Sequence, residues 1–406
     1  MKILHVISQR PDSTGSGVYL QAILRESFAR GHSNSLIAAV NTDTLLETAT
    51  LWTENTSLVT FGTEELDFPL PGMSDVMPYP SSVFSSLSSS QIRKYEKVFL
   101  AKLSEQIASF SPDIIHSHHL WLLTALIGRY FPDIPLVTNC HGSDLRQFRI
   151  CPSLQQRVKE GCRNIDLIFA LTESQRDEII SLFGHNTERI SICGSGFNDA
   201  LFEFKEKVPP PPIHVTYCGK LSRAKGVPWL LQAMYRLRNI PFHLNIVGGV
   251  TGAEGKECLQ LAKRLEKKVT MHGPLSQSNL ALLLQESHVL VLPSFYEGLP
   301  LVILEALACG CRVVTTDLPG CRIIAEKIDR NIITSVPLPR LHTIDTPFAQ
   351  DEESFIDALQ DGLENTFQKC IQDSLPGKGD IARYMSQFTW QEIFTTIECG
   401  YNSLHH

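Results

Sequence analysis

The sequence predicts an α/β protein of two doubly wound, Rossmann-like domains, on three observations. Short apolar runs rich in β-branched residues alternate with amphipathic helical stretches along the chain. These runs are continuously apolar instead of alternating, as strands are when a parallel sheet is covered on both faces. A run of four prolines divides them into two sets, and each set is long enough for its own domain.

The first set is "KILHVI", "SLIAAV", "DIIHSH", "PLVTNC" and "DLIFAL", with "GVYLQAILRESFARG" and "VFLAKLSEQIASF" as helical stretches between them. The second is "HVTYCG", "FHLNIVGG", "KVTMHG", "HVLVLP", "RVVTT" and "NIITS". Between the sets, "FKEKVPPPPIH" carries Pro209 to Pro212, which cannot be helical and forms a stiff linker. The expected domains are therefore residues 1–205 and 213–385. Residues 386–404 form an amphipathic C-terminal helix with Phe388, Trp390, Ile393 and Phe394 on one stripe. The expected ligand site is a cleft between the domains, at the carboxyl ends of both sheets. Residues from about Thr60 to Gln91 are rich in proline and serine and show no period. So long a loop is expected to be functional, on the substrate side.

Composition narrows the function. The chain has 406 residues, 43% hydrophobic and 19% charged, which suits large cores. The net charge is −7 and no long basic run occurs, which excludes duplex nucleic acid as a partner. "MKILHVISQ" is too short an apolar stretch for a signal peptide, and no run approaches a membrane span. The eleven cysteines are scattered; Cys309 and Cys311 are the nearest pair and no CxxC occurs. They are expected as reduced, mostly buried thiols of a cytoplasmic protein. The terminal His405 and His406 are set aside.

Three segments have the makings of an anion site. Gly15 and Gly17 precede the first helix, where small residues let backbone N–H groups approach an anion; by themselves they equally serve to turn the chain. After the first strand of the second set, Gly219 and Gly226 frame Lys220, Arg223 and Lys225. Three cations so close would repel one another without an anion, unless they are solvated lysines of a surface. The third segment is "PSFYEGLPLVILEALACG". Pro300 suits the first position of a helix, and the N–H groups of Leu299, Leu301 and Val302 near Gly298 would face outward. Glu297 and Glu305 bracket that helix start. Alone, they suggest a loop glutamate and a salt-bridged one. Beside a diphosphate held by Lys220, Lys225 and the helix start, they would grip sugar hydroxyls: Glu305 the nucleotide ribose, Glu297 the transferred sugar.

At this point the chain resembles glycosyltransferase family four, the retaining, nucleotide-sugar-dependent enzymes of GT-B fold. "EGLPLVILE" has the family's E-x7-E spacing and runs into "ALACGCRVV". "GSGVYLQAILRESFARGH", "HGSD" (His141 to Asp144), "GKLSRAKG", "IVGG" (Ile246 to Gly249) and "FTWQEI" follow the family's order along the chain. The resemblance implies two domains facing across a cleft, the first for acceptor and the second for donor, with the C-terminal helix returning to the first. It implies His141 beside the transferred sugar as a hydrogen-bond donor, with Glu297 and Lys225 also catalytic. Donor contacts would come from Gly15, Gly17, Lys220, Lys225, Gly298, Leu299, Leu301, Val302 and Glu305. Lys220 stands where the family usually has arginine, so a point charge replaces a fork.

"HSHH" places His116, His118 and His119 at a strand end, and Asp144 follows His141. No carboxylate or cysteine completes a metal set nearby, so no metal is expected. Strand-end histidines are commonly structural, but this strand end faces the expected cleft. His118 and His119 are therefore expected on the acceptor side, with Asp144 there too or holding the His141 imidazole. No G-x-S-x-G elbow supports a hydrolase. The resemblance implies front-face transfer with retention, from a UDP-hexose such as UDP-glucose to a saccharide or lipid-linked saccharide, in polysaccharide or glycoconjugate synthesis. No cofactor is expected, and peripheral membrane contact enters by analogy alone. Competing readings are a GT-B phosphorylase or nucleotide-sugar epimerase, and a catalytically silent transferase-like subunit.

Overall fold

The computed structural model describes residues 1–12, 14–42, 51–75, 77–329, 331–372 and 377–404; His405 and His406 lie outside them. The chain divides into two compact units. Unit 1 is Met1–Ser195 with Trp390–His406, and unit 2 is Gly196–Thr389. The division falls at Ser195, ahead of the prolines, so Pro209 to Pro212 belong to unit 2.

Unit 1 begins with β1 (Lys2–Ile7), α1 (Gly15–Ala29), β2 (Ser33–Asn41) and β3 (Asn55–Phe61). Two short strands, β4 (Pro71–Gly72) and β5 (Ser82–Val83), pair with each other and lead to α2 (Ser89–Phe110). Then come β6 (Ile114–His118), α3 (Leu122–Tyr130), β7 (Leu136–Asn139), α4 (Ser143–Ile150), α5 (Pro152–Gly161), β8 (Leu167–Ala170), α6 (Glu173–Phe183) and β9 (Ile190–Ile192). Seven strands form one parallel sheet in the order β3-β2-β1-β6-β7-β8-β9. β3 and β9, which have no counterpart among the expected strands, extend it at its two edges.

Unit 2 contains β10 (Ile213–Cys218), α7 (Val227–Arg236), β11 (Phe242–Val247), α8 (Gly252–Lys263), β12 (Val269–Gly273), α9 (Gln277–Glu286) and β13 (Val289–Leu292). It continues with α10 (Leu301–Ala308), β14 (Arg312–Thr316), α11 (Pro319–Glu326), β15 (Ile333–Val336), α12 (Glu352–Gln372) and α13 (Lys378–Met385). Its six strands are parallel, in the order β12-β11-β10-β13-β14-β15. Strand order reverses direction beside β1 in unit 1 and beside β10 in unit 2. At such switch points the loops leaving adjacent carboxyl ends diverge and open a crevice.

The final helix, α14 (Trp390–Leu404), belongs to unit 1, and the short turn Ser386–Phe388 before it belongs to unit 2. Arg30 and His32, just past α1, both bond to Glu398 of α14, at 2.7 and 2.8 Å. Trp390 packs edge-on against Tyr19 of α1. The C-terminal helix thus returns to the first unit.

The stretch from Thr60 to Gln91 is not the open loop its composition suggests. It starts inside β3 and ends inside α2, whose capping box joins Ser88 and Gln91. Leu66, Phe68, Leu70, Met73, Met77, Tyr79 and Phe84 all sit in the unit's main core. Its apolar residues lack a period because they pack from irregular backbone. Its floor is Gln9, just after β1. Gln9 donates to the Pro71 carbonyl at 2.7 Å and accepts from the Tyr79 hydroxyl at 2.7 Å.

Helices α3 and α5 touch at backbone distance. A Cβ at Gly161 would come within 2.4 Å of the Ala125 carbonyl oxygen. Gly161→Ala is expected to force the helices apart at an overpacking cost of about 1–3 kcal/mol. A lower melting temperature in calorimetry would report it; an unchanged melting profile would show that the helices separate freely.

Candidate active site

In unit 2 the site is built by the loops after β10 and β13, which flank the switch point. The two loops are joined. Phe295 N donates to the Ala224 carbonyl at 3.0 Å. Gly226 has φ +70° and lies so close that a Cβ would sit 2.0 Å from the Pro293 carbonyl oxygen. Only glycine meets both demands. Two more glycines fix the surroundings. Gly248 backs onto the Gly219 carbonyl and Gly320 of α11 onto the Gly298 carbonyl, each with its Cβ position 1.8 Å from the oxygen. Gly320 carries only a weak sequence signal, one glycine behind a proline, and is absent from the expected site.

This joining brings Lys225 and Glu297 into a 2.7 Å ion pair, with both side chains part-buried. Lys220 stands at the carboxyl end of β10, where its carbonyl accepts from the Tyr217 hydroxyl at 2.7 Å. Arg223 departs from expectation. Its guanidinium bonds to Glu257 and Glu352 and lies over Trp229, so acidic residues of α8 and α12 neutralise it. The expected triple-cation repulsion is therefore relieved by carboxylates.

Pro300 is the N-cap of α10, and Leu301 is the first helical residue, one position later than expected. The N–H groups of Leu301 and Val302 are those a helix start leaves without intrahelical acceptors. Leu299 is buried and Gly298 half-buried. Glu305, one turn into α10, is 5% exposed and forms no ion pair among the described residues. Its hydrogen-bond contact is Gln277 Nε2 at 3.4 Å. Burial pushes its carboxyl up to about 8. It is not the salt-bridged glutamate of the simpler sequence reading.

In unit 1 the loops after β1 and β6 flank the switch point. Gly15 and Gly17 lie here, in the unit that does not contain Lys220 and Glu305. Gly17 is held against Pro11, where an added Cβ would lie 2.9 Å from the backbone, and its N–H bonds to the Thr14 hydroxyl. Gly15 has open space around it.

His141 follows β7 and is half-buried. Its Nε2 lies 3.3 Å from His118 Nδ1, its ring meets Tyr19 edge-on, and His119 crowds it from another side. Burial first, then repulsion from His119 and His116, holds its imidazole well below the usual histidine range. It is neutral at pH 7. His118, His119 and Asp144 are buried. Asp144 accepts from the backbone N–H of Leu120 and of His141, at 2.8 and 3.2 Å. These three residues enclose the His141 segment, and Asp144 holds its backbone. Behind them His116 bonds to Tyr401 and Asn139, and Asn139 donates to Tyr19. Tyr401 and Asn139 carry no sequence signal, because nothing local to them predicts the contact.

A family model for glycosyltransferase family 4 matches residues 13–201, and one for glycosyl transferases group 1 matches residues 212–364. The chain belongs to the family 4 glycosyltransferases. Among curated relatives of this family member, glycogen synthase of Mycobacterium tuberculosis is 29% identical over 52% of this chain and 54% of its own length. The D-inositol 3-phosphate glycosyltransferase of Pseudarthrobacter chlorophenolicus is 29% identical over 53% and 58%. The chain thus spans a little over half the length of these relatives. Sucrose-phosphate synthase of Thermosynechococcus elongatus superposes with TM-score 0.74 at 18% identity, over 100% of this chain and 99% of that one. HepE of Anabaena, solved with UDP-glucose, gives 0.66 at 16%, over 99% and 100%. Starch synthase IV of Arabidopsis thaliana, solved with ADP and acarbose, gives 0.68 at 14%, over 100% and 99%. These likenesses establish the GT-B fold of this family member.

Glu305 sets a pH dependence. Its unfolded value is 4.5 and its folded value about 8. Between them the folded state holds a proton that the unfolded state has released. Its contribution to stability therefore declines as pH rises through that window. Glu305→Gln should gain melting temperature relative to the unaltered chain as pH rises from about 5 to about 8. A difference that stays constant, or moves the other way, would place an ionised carboxylate there.

Proposed function

We propose that the chain transfers a hexosyl group from a nucleotide sugar to a hydroxyl acceptor with retention. Unit 2 binds the donor, and unit 1 supplies His141 and the acceptor side. The observation that carries this reading is the joined pair of loops at the unit 2 switch point, with Lys220, Lys225, the start of α10 and the buried carboxyl of Glu305. The donor proposed is a UDP-hexose, UDP-glucose first, supported by HepE having been solved with UDP-glucose. ADP, seen with starch synthase IV, is the competing nucleotide. The acceptor class is a saccharide or lipid-linked saccharide, within polysaccharide or glycoconjugate synthesis in the cytoplasm.

On this reading the diphosphate lies against the N–H groups of Leu301 and Val302, where the helix end is positive. Lys220 and Lys225 neutralise it without a divalent ion. Its arrival draws Lys225 away from Glu297, and the freed carboxylate accepts from a hydroxyl of the transferred sugar. Glu305 accepts from the ribose, which requires the ionised carboxylate and so expels its proton. The acceptor oxygen then bonds to the anomeric carbon as the bond from that carbon to the phosphate oxygen breaks. The acceptor proton passes to the leaving phosphate. His141, neutral, donates to the sugar. The protein's part is positioning and charge stabilisation.

The test is a panel of UDP-, ADP- and GDP-sugars with saccharide acceptors, run on the unaltered chain beside Glu305→Gln and Glu297→Gln. Transfer from one donor class is expected. Glu305→Gln should weaken free-nucleotide binding about ten-fold or more, since a hydrogen bond to a charged group is worth about 1.5–3 kcal/mol. Glu297→Gln should leave nucleotide binding within a few-fold and lower the transfer rate. Equal losses of nucleotide affinity in both variants would refute the division of roles; release of the sugar to phosphate, with no acceptor used, would point to a phosphorylase.

A further inference from the structure

The interior of unit 1 holds three histidines that the proposed transfer does not use as contacts. Parallel pairing of β1 with β6 sets His5 opposite His116, and His118 follows two residues later on the same face. All three are buried. Ring centroids lie 5.3 Å apart for His5 and His116, 4.7 Å for His116 and His118, and 6.1 Å for His5 and His118.

Their hydrogen bonding is incomplete. Among the described residues, neither ring nitrogen of His5 has a partner, nor does Nε2 of His118. The N–H groups of the Asn34 amide go to the Leu24 and Trp52 carbonyls and its oxygen accepts from Ser27, so toward His5 it offers only the second lone pair of that oxygen, a weak contact. Buried polar atoms are seldom left this way, and a bound ion or water is one physical account of such a case. One ligand nitrogen from each of the three rings lies within 4.8 Å of the others.

We propose that His5, His116 and His118 bind a borderline transition-metal dication of the zinc class. Neutral imidazole is the preferred donor for such ions. Tetrahedral ligands at about 2.1 Å from zinc stand roughly 3.4 Å apart, so the rings close by small rotations about their side-chain bonds. His118 keeps its Nδ1 contact with His141 and offers Nε2. His116 must give up one of its two bonds, to the Tyr401 hydroxyl at 2.6 Å or to Asn139 Oδ1 at 2.7 Å. Water or the released oxygen completes the four ligands such an ion takes. The site pins β1 to β6 one hydrogen bond behind His141. It is separate from the diphosphate contacts of unit 2, and its existence does not depend on the proposed transfer.

The test uses the full chain, freed of metal with a chelator, dialysed, and titrated with Co2+ by visible absorption and with Zn2+ by calorimetry. One ion per chain, an intense tetrahedral Co2+ band and a higher melting temperature are expected. His5→Gln and His118→Gln should each weaken binding ten-fold or more. His342→Gln, in unit 2, and the double change His405→Ala with His406→Ala should leave it intact. If the His5 and His118 variants fail to fold, Zn2+-induced shifts of the imidazole proton resonances in the unaltered chain serve instead. No bound ion, no shift of these three rings, or binding lost only with the terminal pair would overturn the proposal and leave buried water as their partner.

Discussion

The candidate donor site depends on one close approach, the Gly226 backbone resting on the carbonyl of Pro293. In a parallel sheet, the loops leaving neighbouring strands at a switch point run apart. Here a glycine at positive φ lets the loop after β10 fold back onto the loop after β13. The approach carries Lys225 to Glu297 and sets the basic loop beside the start of α10. A side chain at residue 226 would clash with backbone, which cannot swing aside as a flexible side chain can. Gly320 acts in the same way from behind, against Gly298.

The charges of the site follow from that geometry. Lys225 and Glu297 are each part-buried and compensate one another, so neither stands as an isolated charge. Glu305 has no cation beside it among the described residues, and burial keeps it protonated at neutral pH. The two carboxylates are therefore poised differently before any ligand arrives. One is paired with a lysine; the other is kept neutral by burial. Arg223, equivalent to Lys220 and Lys225 in the sequence, is withdrawn by Glu257 and Glu352.

The strands of both sheets are legible in the sequence because continuous apolar runs leave few alternatives to a buried parallel strand. β3 and β9 are not, because "NTSLVTF" is an only partly buried edge strand with polar residues among its apolar ones and "ISI" is too short to show a pattern. The packed stretch after β3 reads as an open loop because residues such as Leu70 and Tyr79 are buried from irregular backbone, where no period exists. At the site, Glu297, Glu305 and the helix start are legible from spacing within one segment. The Lys225–Glu297 pair, the withdrawal of Arg223 and the bond from Tyr401 to His116 are not. Each joins residues far apart in the chain, and local pattern carries no information about such contacts. The burial of His118, His119 and Asp144 is not legible either, because it is set by elements distant in the chain.

The proposed binding of a nucleotide by unit 2 through two joined loops has a direct readout in hydrogen–deuterium exchange on the full chain, with and without a nucleoside diphosphate. The prediction is slowed exchange over residues 219–227 and 297–305, with the amides of Leu301 and Val302 among the most protected. Unchanged exchange in both segments, with protection appearing instead over residues 114–144, would contradict it.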